Sequence, residues 1–120
     1  MFVVQFDDCP EFLAGDHTTL RELLRPVSGA VEARYSLAQG RLDSGAASTR
    51  HVLTASEVYY FLVGEGKVHV GHESVPVKKG TVVAVPPDIE QWVENTGTKA
   101  LEFLCIVDPA WMPDCERILK

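Results

Sequence analysis

The sequence predicts an all-β domain, a sandwich or a closed barrel. Three observations carry this. From residue 30 onward, short runs rich in β-branched and aromatic residues follow one another closely. Gly, Pro, Asn and Ser punctuate the gaps between them. No long helical pattern separates one run from the next, as βαβ units would require.

Taken in order, FVVQF at residues 2–6 reads as a short strand, apolar on both faces. Residues 16–26 hold the best helical signal. Thr19 and Glu22 match a capping box, Leu20, Leu23, Leu24 and Val27 follow helical spacing, and Pro26 stops the turn. A short N-terminal helix is therefore expected, with His17 solvated just before it. From Ala30 the period becomes two, with Val31, Ala33, Tyr35 and Leu37 on one side. This is a half-buried strand, and Tyr35 is expected in the core. Gly40 and Gly45 bracket a loop. A strand ending at His51 turns at Thr54-Ala55-Ser56 into a second strand, from Glu57 to Val63. Gly64-Glu65-Gly66 is a turn with no helix after it, hence no phosphate loop. Further strands are expected at 67–70, 75–77, 81–85, 91–94 and 100–107, with turns between them. The tail from Asp108 to Lys120 is expected to carry a short helix after Pro113.

A chain of 120 residues makes one domain, 1–120, with a core barrel at about 30–107. The hydrophobic fraction of 46% is ordinary for a globular protein, and no run reaches the length of a membrane span. Net charge is −6 and Lys/Arg do not cluster, which argues against a nucleic-acid partner. MFVVQFDDCP has no basic region of the kind that opens a signal peptide. Cys9, Cys105 and Cys115 are too scattered for a disulfide framework or a zinc pattern. Free thiols suggest a reducing cytoplasm. Cys105 lies in an apolar run and reads as core.

The chemistry concentrates at His51 and Glu57. Six residues apart on a straight strand, they would stand about 20 Å from each other. The reversal at residues 54–56 lets both point to one face. Tyr59 and Phe61 share parity with Glu57 and should face inward with it. Trp92 alternates away from Gln91. Arg34 and Arg50 can recognise an anion, though solvated arginines are commoner.

The spacing resembles the two motifs of the cupins. Gly45, five residues, His51, Val52, Leu53, three residues, Glu57, six residues and Gly64 follow the first motif. Gly80, five residues, Pro86, Pro87, Asp88, two residues, Gln91, three residues and Asn95 follow the second. Leu53 and Gln91 stand where the family has histidines, and Asp88 where it has glycine. The resemblance covers roughly residues 30–107. It implies a jelly-roll barrel with the site inside, a small single-domain protein and a homodimer paired through its first strand. By motif position, His51, Glu57 and Gln91 are the metal ligands, for a divalent zinc, manganese, iron or nickel ion. A glutamine oxygen weakens such a site for nitrogen-preferring metals, and Leu53 cannot ligate. The same three residues also read as a hydrogen-bonded polar trio that binds an organic ligand directly.

The functional expectation is a small-molecule-binding cupin acting through a degenerate His/Glu/Gln site. Three roles stay open: a metal-dependent enzyme of isomerase, lyase or oxygenase type, a non-catalytic binding or sensing protein without metal, and a metal-free catalyst. Candidate catalytic residues are His51, Glu57 and Tyr59, with His51 as general base in the metal-free case. The sequence names no substrate.

Overall fold

Backbone alternation decides which side chains face inward. In Ser56–Val63 (β5), Glu57, Tyr59 and Phe61 are buried while their neighbours point out. Leu101, Phe103, Cys105 and Val107 do the same in Leu101–Asp108 (β10). The computed structural model describes residues 1–119. Within them, eleven strands make two antiparallel sheets of a jelly-roll barrel. The first sheet runs, in spatial order, Glu11–Leu13 (β1), Thr19–Leu24 (β2), Ser36–Leu42 (β3), β10, β5 and Val82–Val85 (β8). The second runs Glu116–Ile118 (β11), His51–Leu53 (β4), Glu90–Asn95 (β9), Glu65–Val70 (β6) and Glu73–Lys78 (β7).

The core lies between the sheets. Tyr59, Phe61 and Phe103 pack with ring centroids 5.3 to 6.1 Å apart, in a cluster that includes Leu42, Val68 and Val93. A smaller cluster joins Leu53, Ala55 and Val107, covered by Trp111 and Cys115.

Four local expectations are corrected. Residues 16–26 form no helix: Thr19–Leu24 is a strand, paired with β3 from Thr19↔Arg41 onward. A segment that Pro26 cuts short is too brief to hold a helix alone, whereas the β3 edge supplies backbone partners at once. FVVQF is not a strand either. Residues 2–5 take no regular structure and Phe6–Asp8 is a 3-10 turn. Arg21 holds this turn, its guanidinium 4.4 Å above the Phe6 ring and donating to the Phe6 carbonyl at 3.1 Å. The third strand starts at Ser36, not Val31, which leaves Tyr35 48% exposed rather than in the core. After Pro113 comes only a 3-10 turn, Pro113–Cys115, and then β11. The barrel accordingly reaches beyond residues 30–107: β1, β2 and β11 all belong to its sheets.

The corner at Thr54-Ala55 positions the site. It separates β4 from β5, which lie in different sheets, so His51 and Glu57 approach the interior from two walls. The Thr54 N–H donates to the Cys115 carbonyl at 2.9 Å, and the Asp88 N–H to the Leu53 carbonyl at 2.8 Å. Asp88 takes φ +65°, the left-handed conformation that a glycine adopts freely and Asp tolerates.

Gly64 has φ +90°, and a Cβ there would stand 2.5 Å from the Ala100 carbonyl oxygen. Gly64→Ala should therefore cost about 1–3 kcal/mol in urea unfolding. Gly45→Ala, with φ +79° but open space around it, should cost less.

Candidate functional site

Between the sheets lies a cavity of about 130 Å³. Most of its wall is apolar, from residues such as Leu20, Leu24, Leu53, Val93 and Phe103. Its polar groups are His51, Glu57 and Tyr59 from the motif strands, with Asp16 and Glu116 from the flanks. Arg25 stands at the rim, paired with Glu22 at 3.0 Å.

His51 and Gln91 are register partners on β4 and β9, and both are buried. The His51 Nδ1 lies 2.7 Å from the Thr49 carbonyl oxygen. A carbonyl only accepts, so Nδ1 carries a proton and Nε2 is the nitrogen left for a partner in the cavity. That Nε2 faces Asp16 Oδ2 at 3.7 Å. The side-chain donor atoms of Asp16, His51 and Glu116 all lie within 4.8 Å of one another.

Glu57 is buried, and its Oε1 has no hydrogen-bond partner among the described residues. Desolvation raises its carboxyl from 4.5 to about 7, against the pull of His51 nearby. Burial also pushes the neighbouring Tyr59 hydroxyl and Cys105 thiol well up, and Glu57 adds to both shifts. Glu116 is raised too, by desolvation first and by Asp16 second.

Gln91 sits apart from this group. It is buried but does not line the cavity, and its amide oxygen accepts the Tyr59 O–H at 2.5 Å. Leu53 lines the wall as an apolar residue. The motif positions thus leave two free donors, His51 and Glu57, fewer than the three that a catalytic metal site usually takes from protein. Asp16 and Glu116 add two more to the cavity wall, and of the four, Asp16, His51 and Glu116 lie close enough together to suit a divalent ion. Neither acid was legible as a site residue: each comes from a flank without a motif, and Glu116 reaches the site only because β11 pairs with β4, from Glu116↔Leu53 to Ile118↔His51.

Other polar and aromatic residues lie elsewhere. His69 is on the outer face, bonded to Ser74 Oγ at 2.6 Å and Glu94 at 2.9 Å, and it stacks on Trp92 with centroids 3.8 Å apart. Trp92 faces away from Gln91, as alternation requires. Arg50 lies 5.8 Å from the Trp92 ring, and Arg34 pairs with Asp108 at 2.9 Å; neither reaches the cavity. His17, exposed at φ +71°, bonds Thr49 Oγ1.

The Cupin domain family profile matches residues 39–107, more than half of the chain. This chain is a cupin. The cupin is 30% identical over 117 residues to an uncharacterized protein of Methanocaldococcus jannaschii, covering 97% of this chain and 93% of that one. An oxalate-binding protein of Thermotoga maritima is 41% identical over 51 residues, 42% of each chain. The crystal structure of a predicted oxalate decarboxylase from the same organism superposes with a TM-score of 0.77 at 27% identity. It covers 90% of this cupin and 99% of that chain.

The state of Glu57 predicts a pH dependence for protein stripped of metal. Below pH 4.5 folded and unfolded chains both carry the proton. Between 4.5 and about 7 the unfolded chain releases it while the folded chain keeps it, so stability falls as pH rises. Above about 7 the loss is complete, on the order of 3 kcal/mol. Glu57→Gln should remove this contribution and be the more stable protein at pH 8. Urea unfolding of both proteins from pH 4 to 8, in a chelator, checks it; a large loss of stability in the variant at every pH would assign Glu57 a structural role instead.

Proposed function

We propose that this cupin binds a small organic molecule inside its barrel, with the polar end of that molecule at His51, Glu57 and Tyr59. The observation that carries the reading is an apolar-walled cavity with an unpartnered carboxylate oxygen at one end. Native proteins leave buried polar atoms unpaired where something else is meant to pair them. A volume of about 130 Å³ is close to that of cavities that hold benzene, so the enclosed part of the ligand is about one ring in size. The Thermotoga maritima matches are named for oxalate. Here a bare dianion would meet Asp16, Glu57 and Glu116, and Arg25, the one arginine or lysine among the described lining residues, is already paired with Glu22. A neutral or singly charged molecule with an apolar body fits better, or an anion accompanied by a divalent cation.

Catalysis of isomerase, lyase or oxygenase type is a second reading. It is favoured by the Nε2 of His51, which the Thr49 carbonyl aims into the cavity. In that reading His51 and Glu57 hold the metal or move the proton, and Tyr59 orients the substrate. A cytoplasmic location belongs to the same reading, since three free thiols would stay reduced there.

Mass spectrometry of untagged protein under native conditions tests the first reading, followed by titration with whatever ligand is released. Ala38 lines the cavity, and Ala38→Leu should fill it and cut affinity for that ligand about tenfold or more while the protein stays folded. A cavity that carries nothing, combined with no thermal shift from any compound of a one-ring metabolite panel, would reject the reading.

We propose, further, that the protein is a homodimer. The open edge of β1 and the exposed Phe2, Val3, Val4, Phe12 and Leu13 form one apolar margin of the first sheet. Sedimentation at micromolar concentration should give a dimer, and deletion of residues 1–6 should weaken it. A monomeric parent would overturn the proposal.

A further inference from the structure

We propose that Asp16, His51 and Glu116, with Glu57 as a fourth donor, form a site for an oxygen-preferring divalent cation such as manganese or iron(II). This deepens the reading of the barrel as a ligand site and moves the ion away from Gln91, towards the two ends of the chain. Four observations converge. The donor atoms of Asp16, His51 and Glu116 lie within 4.8 Å of one another. Ligands about 2.1 Å from one ion stand roughly 3–4 Å apart, so small side-chain movements close the set. The His51 Nδ1–H is held by the Thr49 carbonyl, the outer hydrogen bond that metal-bound imidazoles characteristically make. Glu57 Oε1 is buried, faces the same cavity and has no partner among the described residues. The Gln91 amide oxygen, by contrast, is committed to Tyr59.

Charge points the same way. Asp16, Glu22, Glu57 and Glu116, four carboxylates, line this cavity with one imidazole, and Arg25 at the rim is engaged by Glu22. A divalent cation offsets their repulsion directly. One nitrogen and three carboxylates make a harder donor set than several imidazoles, which is why manganese and iron(II) suit it.

The site also joins distant parts of the chain. Asp16 lies in the turn between β1 and β2, His51 opens β4 and Glu116 opens β11. An ion here ties both flanking segments to the central barrel, so binding should slow amide exchange at residues 14–18 and 116–118.

The test is a titration of chelator-stripped, full-length protein with manganese chloride, followed by calorimetry and by loss of the free-ion electron paramagnetic signal. One ion per chain is expected. Asp16→Asn and Glu116→Gln should each weaken binding about tenfold or more. Gln91→Leu should leave affinity within about threefold, because the Gln91 amide oxygen is taken by Tyr59 and is not a ligand here. Metal-free melting confirms that each variant is folded, and amide exchange on the parent reads the same site without any substitution. Absence of manganese binding, parent-like affinity in both acid variants, or loss of affinity in Gln91→Leu would each overturn the proposal. Such a failure leaves the organic-ligand reading standing, since the released-ligand and Ala38→Leu measurements need no metal.

Discussion

Phe61, Tyr59 and Glu57 project in one row from β5, and the character of the barrel changes along that row. Phe61 is fully enclosed by the aromatic core. Tyr59 packs against the same core and spends its hydroxyl on Gln91. Glu57, two residues further, holds a carboxylate oxygen that has no partner among the described residues. Desolvating a carboxylate is costly, and a flexible side chain would avoid it by turning to water. Here strand pairing on both sides fixes the row: β5 lies between β10 and β8, and Glu57 is opposite Val107 on one and Val85 on the other. The hydrophobic core therefore keeps the site in a state that Glu57 alone would not adopt.

The second wall reaches the cavity by a different route. A corner of two residues moves the chain from one sheet to the other, so a histidine and a glutamate close in sequence face each other across the barrel. Both flanks then close over this corner. The turn around Asp16 accepts the Thr49 N–H at 2.7 Å, and β11 adds a strand beside β4. What the family profile matches is a barrel with a cavity; what completes the polar end lies outside the matched segment.

How much of this could be read from residues follows from the range of each interaction. The inward row of β5, the outward turn of Trp92 and the placement of His51 near Glu57 depend on local alternation and one tight corner. Motif spacing carries all of these. Residues 19–24 defeated the same logic because six residues with leucines can satisfy either period, and the β3 edge decided the outcome. FVVQF looked like a strand, but it joins neither sheet, and Arg21 holds its end in a turn instead. Asp16 and Glu116 could not be found from sequence, because nothing in a turn or a tail records which distant strand it will meet. Gln91 held a motif position, yet its role depends on Tyr59, a residue 32 positions away that competes for its oxygen.

Cys105 has a consequence of its own. Its thiol is buried against Glu57, in surroundings that hold it in the neutral form. Alkylating reagents attack the thiolate, so this cysteine is doubly shielded, sterically and electrostatically. It lines the cavity, so a reagent too large to enter there reaches it only in molecules whose barrel has come apart between β10 and its neighbours. The protein thus contains an intrinsic chemical clock: under native conditions, the labelling rate at Cys105 measures how often the barrel breathes open.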